Sequence, residues 1–100
     1  MTTEQKVQYI ADRYGYEPQS RQLIEEMAEL TVAINKAWRK TFDEIDKIPN
    51  MDDEEHIEEE IADVEIMLLQ IKYLIGVGNK ELLEIVEKKL DRQIERIKNE

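Results

Sequence analysis

Two acidic hexapeptides hold the residues best suited to chemistry. Glu25-Glu26-Met27-Ala28-Glu29-Leu30 recurs as Glu59-Glu60-Ile61-Ala62-Asp63-Val64, and the flanks agree, with Leu23 matching Ile57, Ile34 matching Leu68 and Ala37 matching Ile71. On a helix turning about 100° per residue, Glu26 lies about 60° and Glu29 about 120° from the centre of the Leu23/Met27/Leu30 stripe. Glu60 and Asp63 stand at the same offsets from the Ile57/Ile61/Val64 stripe. Two such helices packed antiparallel through their stripes bring Glu26, Glu29, Glu60 and Asp63 to one edge. Like charges at i,i+4, as in Glu25/Glu29 and Glu59/Asp63, each cost about 0.2–0.5 kcal/mol on an isolated helix. No Lys or Arg follows either cluster within four residues. Carboxylates gathered in this way raise one another's pKa or demand a cation. A hard divalent ion with oxygen ligands is the natural compensation, Mg²⁺ first, with Mn²⁺ as its substitute.

The elements that would position these acids follow from periodicity and breakers. A first helix is expected over Thr3–Tyr14, ended by Gly15, and Tyr16-Glu17-Pro18 reads as a link. The second runs from Gln19 to Thr41, with Leu23, Met27, Leu30, Ile34 and Ala37 spaced by fours and threes. Asp43 to Asn50 reads as a polar connector closed by Pro49, which disfavours helix before it. The third helix opens near Asp52, where Asp52 and Glu55 have capping-box spacing. It carries Ile57, Ile61, Val64, Leu68, Ile71 and Ile75 as far as Gly76-Val77-Gly78. Asn79 is the expected N-cap of a fourth helix carrying Leu83, Val86, Leu90, Ile94 and Ile97. This pattern makes a single all-α, four-helix bundle-like domain over residues 1–100. Long helices in so short a chain outrun the surface available to cover them, so self-association into a homodimer or homotetramer is expected.

Composition narrows the function classes. The 100 residues include 14 Lys/Arg against 24 Asp/Glu, a formal net charge of −10, which argues against a nucleic-acid binder because phosphate contacts need a basic surface. Cys is absent and His56 is the single histidine, so thiolate zinc sites, disulfides and two-histidine mechanisms are excluded. Three Gly and two Pro are too few for a Gly-rich phosphate loop or an all-β fold. No segment has the length or apolarity of a membrane span or an N-terminal signal, so no membrane partner and a cytoplasmic location are expected.

The motif Glu25-Glu26-x-x-Glu29 followed by Glu60-x-x-Asp63 resembles the signature of the all-α nucleoside triphosphate pyrophosphohydrolases, the MazG-like superfamily. The run Gln22-Leu23-Ile24-Glu25-Glu26-Met27-Ala28-Glu29-Leu30 looks like its short phage and bacterial members. The likeness covers Gln19 to Leu74, with weaker agreement at Lys89-Leu90-Asp91-Arg92-Gln93. It implies a Mg²⁺-dependent hydrolase that cuts a nucleoside triphosphate between its α and β phosphates, releasing a monophosphate and pyrophosphate as nucleotide-pool housecleaning. Glu26, Glu29, Glu60 and Asp63 would then hold Mg²⁺, with Glu25 orienting or deprotonating the attacking water.

Phosphates not held by metal need cations. Lys36 and Lys40 continue the acidic edge of the second helix, and Lys88, Lys89, Arg92, Arg96 and Lys98 make the fourth helix the most basic. Lys89, Gln93 and Arg96 flank its apolar seam, while Arg92 points further out. Gln22, one turn before Glu26, is placed to hydrogen-bond base or ribose. Trp38 falls to the opposite side of the stripe and suits packing better than base stacking. His56 sits one turn before Glu60, and Tyr9, Tyr14 and Tyr16 are further pocket-lining residues or half-buried packing. Two rivals compete with the enzyme: a non-catalytic metal-binding helical oligomerisation module, and an acidic decoy for DNA-binding proteins using Asp43 to Asp63.

Overall fold

A computed structural model describes residues 1–41 and 49–100, and the described residues are helical apart from short connections. The helices are α1 (Thr3–Tyr14), α2 (Tyr16–Thr41), α3 (Met51–Ile75) and α4 (Asn79–Lys98). The expected connector from Asp43 falls mostly outside the described residues.

Local chemistry explains where the helices begin and end. Thr2 caps α1 reciprocally with Gln5: its hydroxyl accepts from the Gln5 amide at 3.0 Å, while its own amide donates to Gln5 Oε1 at 2.9 Å. Gly15 stops α1 at φ 86°, a backbone region that suits glycine. The expected link Tyr16-Glu17-Pro18 is instead the first turn of α2. Proline fits there because amides of a helix's first turn have no partner within the helix. Asn50, rather than Asp52, caps α3, accepting from the Asp53 amide at 2.9 Å. Asp52, Asp53 and Glu54 then occupy the first turn, where negative charge suits the helix dipole. Gly76 closes α3 in the left-handed region at φ 78°. At α4 the cap is Gly78, and Asn79 is the first helical residue rather than the N-cap.

α2 and α3 pack antiparallel, since Gln19 near the start of α2 meets Gln70 late in α3 while Lys40 near the end of α2 meets Asp53 at the start of α3. The packing seam differs from the expected stripe. On α2 it runs through Gln19, Leu23, Glu26, Leu30, Ala33 and Ala37, all buried or half-buried, while Met27 and Ile34 are exposed. On α3 it runs through Asp53, Ile57, Glu60, Val64, Met67 and Ile71, while Ile61 and Leu68 are exposed. Both helices are thus turned by about 40° toward their acidic edges. Ala33 and Ala37 are buried in this seam. α1 rests on this pair through the fully buried Ala11, and Tyr73 of α3 donates its hydroxyl to Asp12, 2.9 and 3.0 Å from the two carboxylate oxygens.

Gln19 and Gln70 are buried together, Gln19 Nε2 donating to Gln70 Oε1 at 2.8 Å. Gln19→Leu strands a buried carbonyl and is expected to lower stability in urea denaturation by about 1–3 kcal/mol. The double change of Gln19 and Gln70 to Leu removes both polar groups and should cost clearly less than the single one.

Among the described residues α4 packs against none of the other helices. Among the described residues the buried apolar side chains are Ala11, Ala33, Ala37 and Met67, a small core for three helices. The radius of gyration is 17.1 Å, against about 13 Å for a compact globule of this length.

Candidate metal centre

The turn of the seam brings the acids together. Glu26 and Glu60, expected at the margins, lie half-buried in the α2–α3 interface. One carboxylate oxygen each from Glu26, Glu60 and Asp63 lies within 4.8 Å of the others. Opposed oxygens around an ion bound at 2.0–2.6 Å stand about 4–5 Å apart, so the cluster has the span of a hard-cation site.

Hydrogen bonding leaves this cluster incomplete. Glu26 Oε1 accepts from Gln22 Nε2 at 2.8 Å, but Glu26 Oε2 is buried without a hydrogen-bond partner. Glu60 Oε1 is 3.7 Å from His56 Nε2, and Glu60 Oε2 is likewise buried and unpartnered. Buried carboxylate oxygens without a donor are costly, and a cation relieves them. Glu29 is exposed and feels the charges of this group. The charge of Glu26 foremost, then that of Glu60, raises its pKa above the ordinary glutamate value, with desolvation, a hydrogen bond to Glu26 and the charge of Asp63 adding to the shift. Three of the four acids expected at one edge therefore meet, with Glu29 near enough for their charges to raise its pKa. The oxygens are of the hard kind that suits Mg²⁺ or Mn²⁺.

The other expected residues are less uniformly placed. Glu25 is exposed on the outer flank of α2. Gln22 acts on a carboxylate, holding Glu26, where a base or ribose contact was expected. Lys36 is exposed two turns beyond Glu29 on the acidic edge. Lys40 does not point a free charge at the cluster: its Nζ lies 3.0 Å from Oδ1 of Asp53, whose other oxygen is buried and unpartnered. Lys89, Arg92 and Arg96 lie with Gln93 around a shallow pocket on α4, and the single chain does not bring them to the acids. Tyr9, Tyr14 and Tyr16 are exposed, Arg13 lying 5.8 Å from the Tyr14 ring centroid. Trp38 is half exposed on the side away from the acids. A groove of about 430 Å³ lies elsewhere, between α1 and the end of α3, lined by Thr3, Val7, Leu69 and Tyr73.

Sequence reasoning missed Gln19, Asn50, Asp53 and Gln70. A signal for two of them existed: Gln19 precedes Glu26 by seven residues and Gln70 follows Asp63 by seven, so both extend the polar edge by two turns.

No helix among the described residues is long and apolar enough to cross a membrane. Compared with known proteins, the chain matches no protein-family model, no curated protein and no solved structure.

Proposed function

We propose that this chain is a Mg²⁺-dependent nucleoside triphosphate pyrophosphohydrolase of the MazG-like kind, cutting a (d)NTP between its α and β phosphates and working as a homodimer or homotetramer. The observation that carries the reading is the meeting of Glu26, Glu60 and Asp63 oxygens within 4.8 Å, two of the carboxylates with buried, unpartnered oxygens. The resemblance of the two acidic motifs adds the reaction class.

A bound magnesium would supply charge neutralisation for the phosphates and acidify a water for attack on phosphorus. The chain's own residues do the rest. Glu26, Glu29, Glu60 and Asp63 hold the cation, and Gln22 fixes one oxygen of Glu26 so that the other stays available. His56 stands against Glu60 and, when protonated, balances part of its charge. Glu25, on the outer flank, is placed to accept a proton from water. Among the described residues, Lys36 is the cation along the same edge that remains for phosphate.

The test is incubation of the purified chain with Mg²⁺ and a panel of NTPs and dNTPs, with the products resolved. Monophosphate and pyrophosphate, lost on chelation, support the reading. Diphosphate and phosphate would keep a phosphohydrolase but remove the α–β cleavage. The scarcity of cations beside the acids among the described residues favours a second reading, a non-catalytic metal-stabilised oligomerisation module. That reading expects no product from any nucleotide while magnesium still raises the melting temperature.

A further inference from the structure

The accessible surface of the chain is 8367 Å². A compact monomer of 11.9 kDa exposes about 5,900 Å², so roughly 2,400 Å² per chain awaits a cover. Doubled over two chains, that surplus falls in the range of about 2,000–5,000 Å² buried by obligate dimers.

Two apolar surfaces contribute to it. The turn of α2 and α3 toward their acids leaves Met27, Ile34, Ile61, Leu68 and Ile75 exposed on the opposite side of the pair. The second surface is the seam Leu83, Val86, Leu90, Ile94 and Ile97 on α4, exposed throughout. The two match in length: Leu83 to Ile97 and Ile61 to Ile75 are each 14 residue steps apart, about 21 Å of helix.

Charge distinguishes the pairings these surfaces allow. α3 carries nine carboxylates against one lysine, Lys72, so two α2/α3 faces set against each other would oppose two strongly negative helices. α4 has six basic and five acidic residues and is the one helix with a net positive charge. Lys89 and Arg96 flank the apolar seam at about 100–120° from its centre, while Arg92 points further out. On α3, Glu54, Glu58 and Glu65 lie exposed beyond the Ile61/Leu68 edge. The basic flank of one element therefore answers the acidic rim of the other.

We propose that α4 is an exchanged arm: its apolar seam lies on the Met27/Ile34/Ile61/Leu68 face of a second copy of this chain, which returns its own α4 in the same way. The exchange covers both surfaces of each chain at once. It also gives Lys89 and Arg96 a role on the side of the α2/α3 pair remote from the carboxylates, independent of nucleotide.

Because the chain has no cysteine, the contact can be read by single-cysteine pairs in the full-length protein. Leu68→Cys in one chain is co-refolded with Leu83→Cys, Leu90→Cys or Ile97→Cys in another and oxidised, and light scattering gives the mass. The expected result is twice the chain mass of 11.9 kDa and a disulfide between chains for at least one pair. Placing both cysteines of that pair in one chain should still give linked dimers. A bridged monomer means that α4 folds onto its own chain and overturns the proposal, as does a monomeric mass at tens of micromolar. Charge reversal supplies the second arm. Lys89→Glu with Arg96→Glu should weaken association at least tenfold, and Glu58→Lys with Glu65→Lys on the same chain should restore it. Unchanged association would overturn the docking even if a dimer forms. Neither readout involves metal or nucleotide, so a chain that dimerises in this way yet hydrolyses nothing refutes only the enzymatic reading.

Discussion

Replacing Glu60 by Gln should abolish pyrophosphate release while leaving the helical circular dichroism intact. Glu60 enters the α2–α3 interface with one oxygen unpartnered, so the amide keeps the packing volume and removes the charge a cation needs. Loss of one preorganised electrostatic contact to a reacting phosphate lowers turnover on the order of 10²–10³-fold, and loss of a metal ligand falls at or beyond the upper end. Asp63→Asn should behave alike, because Asp63 shares the same cluster of oxygens. Glu25→Gln separates holding the cation from moving the proton. Glu25 is exposed and stands outside the cluster, so its loss should lower turnover by about 10²-fold or more while leaving magnesium binding unchanged. Product assays run beside a magnesium titration of each variant read both effects. Equal activity in wild type, Glu60→Gln and Asp63→Asn would remove the cluster from the chemistry.

Magnesium should raise the melting temperature substantially, and most at neutral pH. At a concentration 100 times its dissociation constant a ligand stabilises the folded state by about 2.7 kcal/mol. For a domain of about 100 residues this corresponds to roughly 10–20 °C. The metal-free chain carries a pH signature of the same group. Glu29 is held above the ordinary glutamate pKa, by the charge of Glu26 first and then that of Glu60, so the folded state binds this proton more tightly than the unfolded chain does. Stability from this residue is therefore greatest below the ordinary carboxylate range, near pH 4.3 or less by the usual value for Glu, and declines as pH rises through the raised value. Above that value it stays low. A bound cation removes the decline, and Glu29→Gln removes it without metal. Scanning calorimetry from pH 4 to 8, with magnesium or with chelator, reads both. A metal-free chain whose stability rose across this window through Glu29 would contradict the arrangement of acids.

Much of the fold was legible because helix period and breakers are local properties. Gly15 and Gly76 end helices where the sequence places them, since both sit at positive φ. The caps were less legible. Asp52 with Glu55 and Asn79 have the right types and spacing, yet Asn50 and Gly78 take those positions, because several polar residues compete at each helix start. The four acids were legible as one edge through the duplicated register. Their depth was not, because an apolar stripe identifies a face and not the line along which two helices touch. The exposed Met27 and Ile34 belong to that stripe as much as the half-buried Leu23 does. The line of contact runs instead through Ala33 and Ala37, and the buried pair Gln19–Gln70 follows from the same shift. The separation of α4 was out of reach, since its seam has the same period as a helix packed within its own chain.

The charge on α3 has a consequence for any solution experiment. Nine carboxylates along 25 residues give one for about every 4 Å of axis, well inside a screening length of about 10 Å at 0.1 M salt. Such a helix gathers a diffuse cloud of counterions, and divalent ions crowd into that cloud whether or not a site exists. Part of any magnesium response at low ionic strength is therefore atmospheric, rising without saturation and fading as potassium chloride is added. Ions held by the oxygens of Glu26, Glu60 and Asp63 are screened far less, because those groups lie partly within the interface. Titrated in several hundred millimolar monovalent salt, the cloud is already filled by potassium, and a magnesium isotherm that still saturates reports the cluster alone.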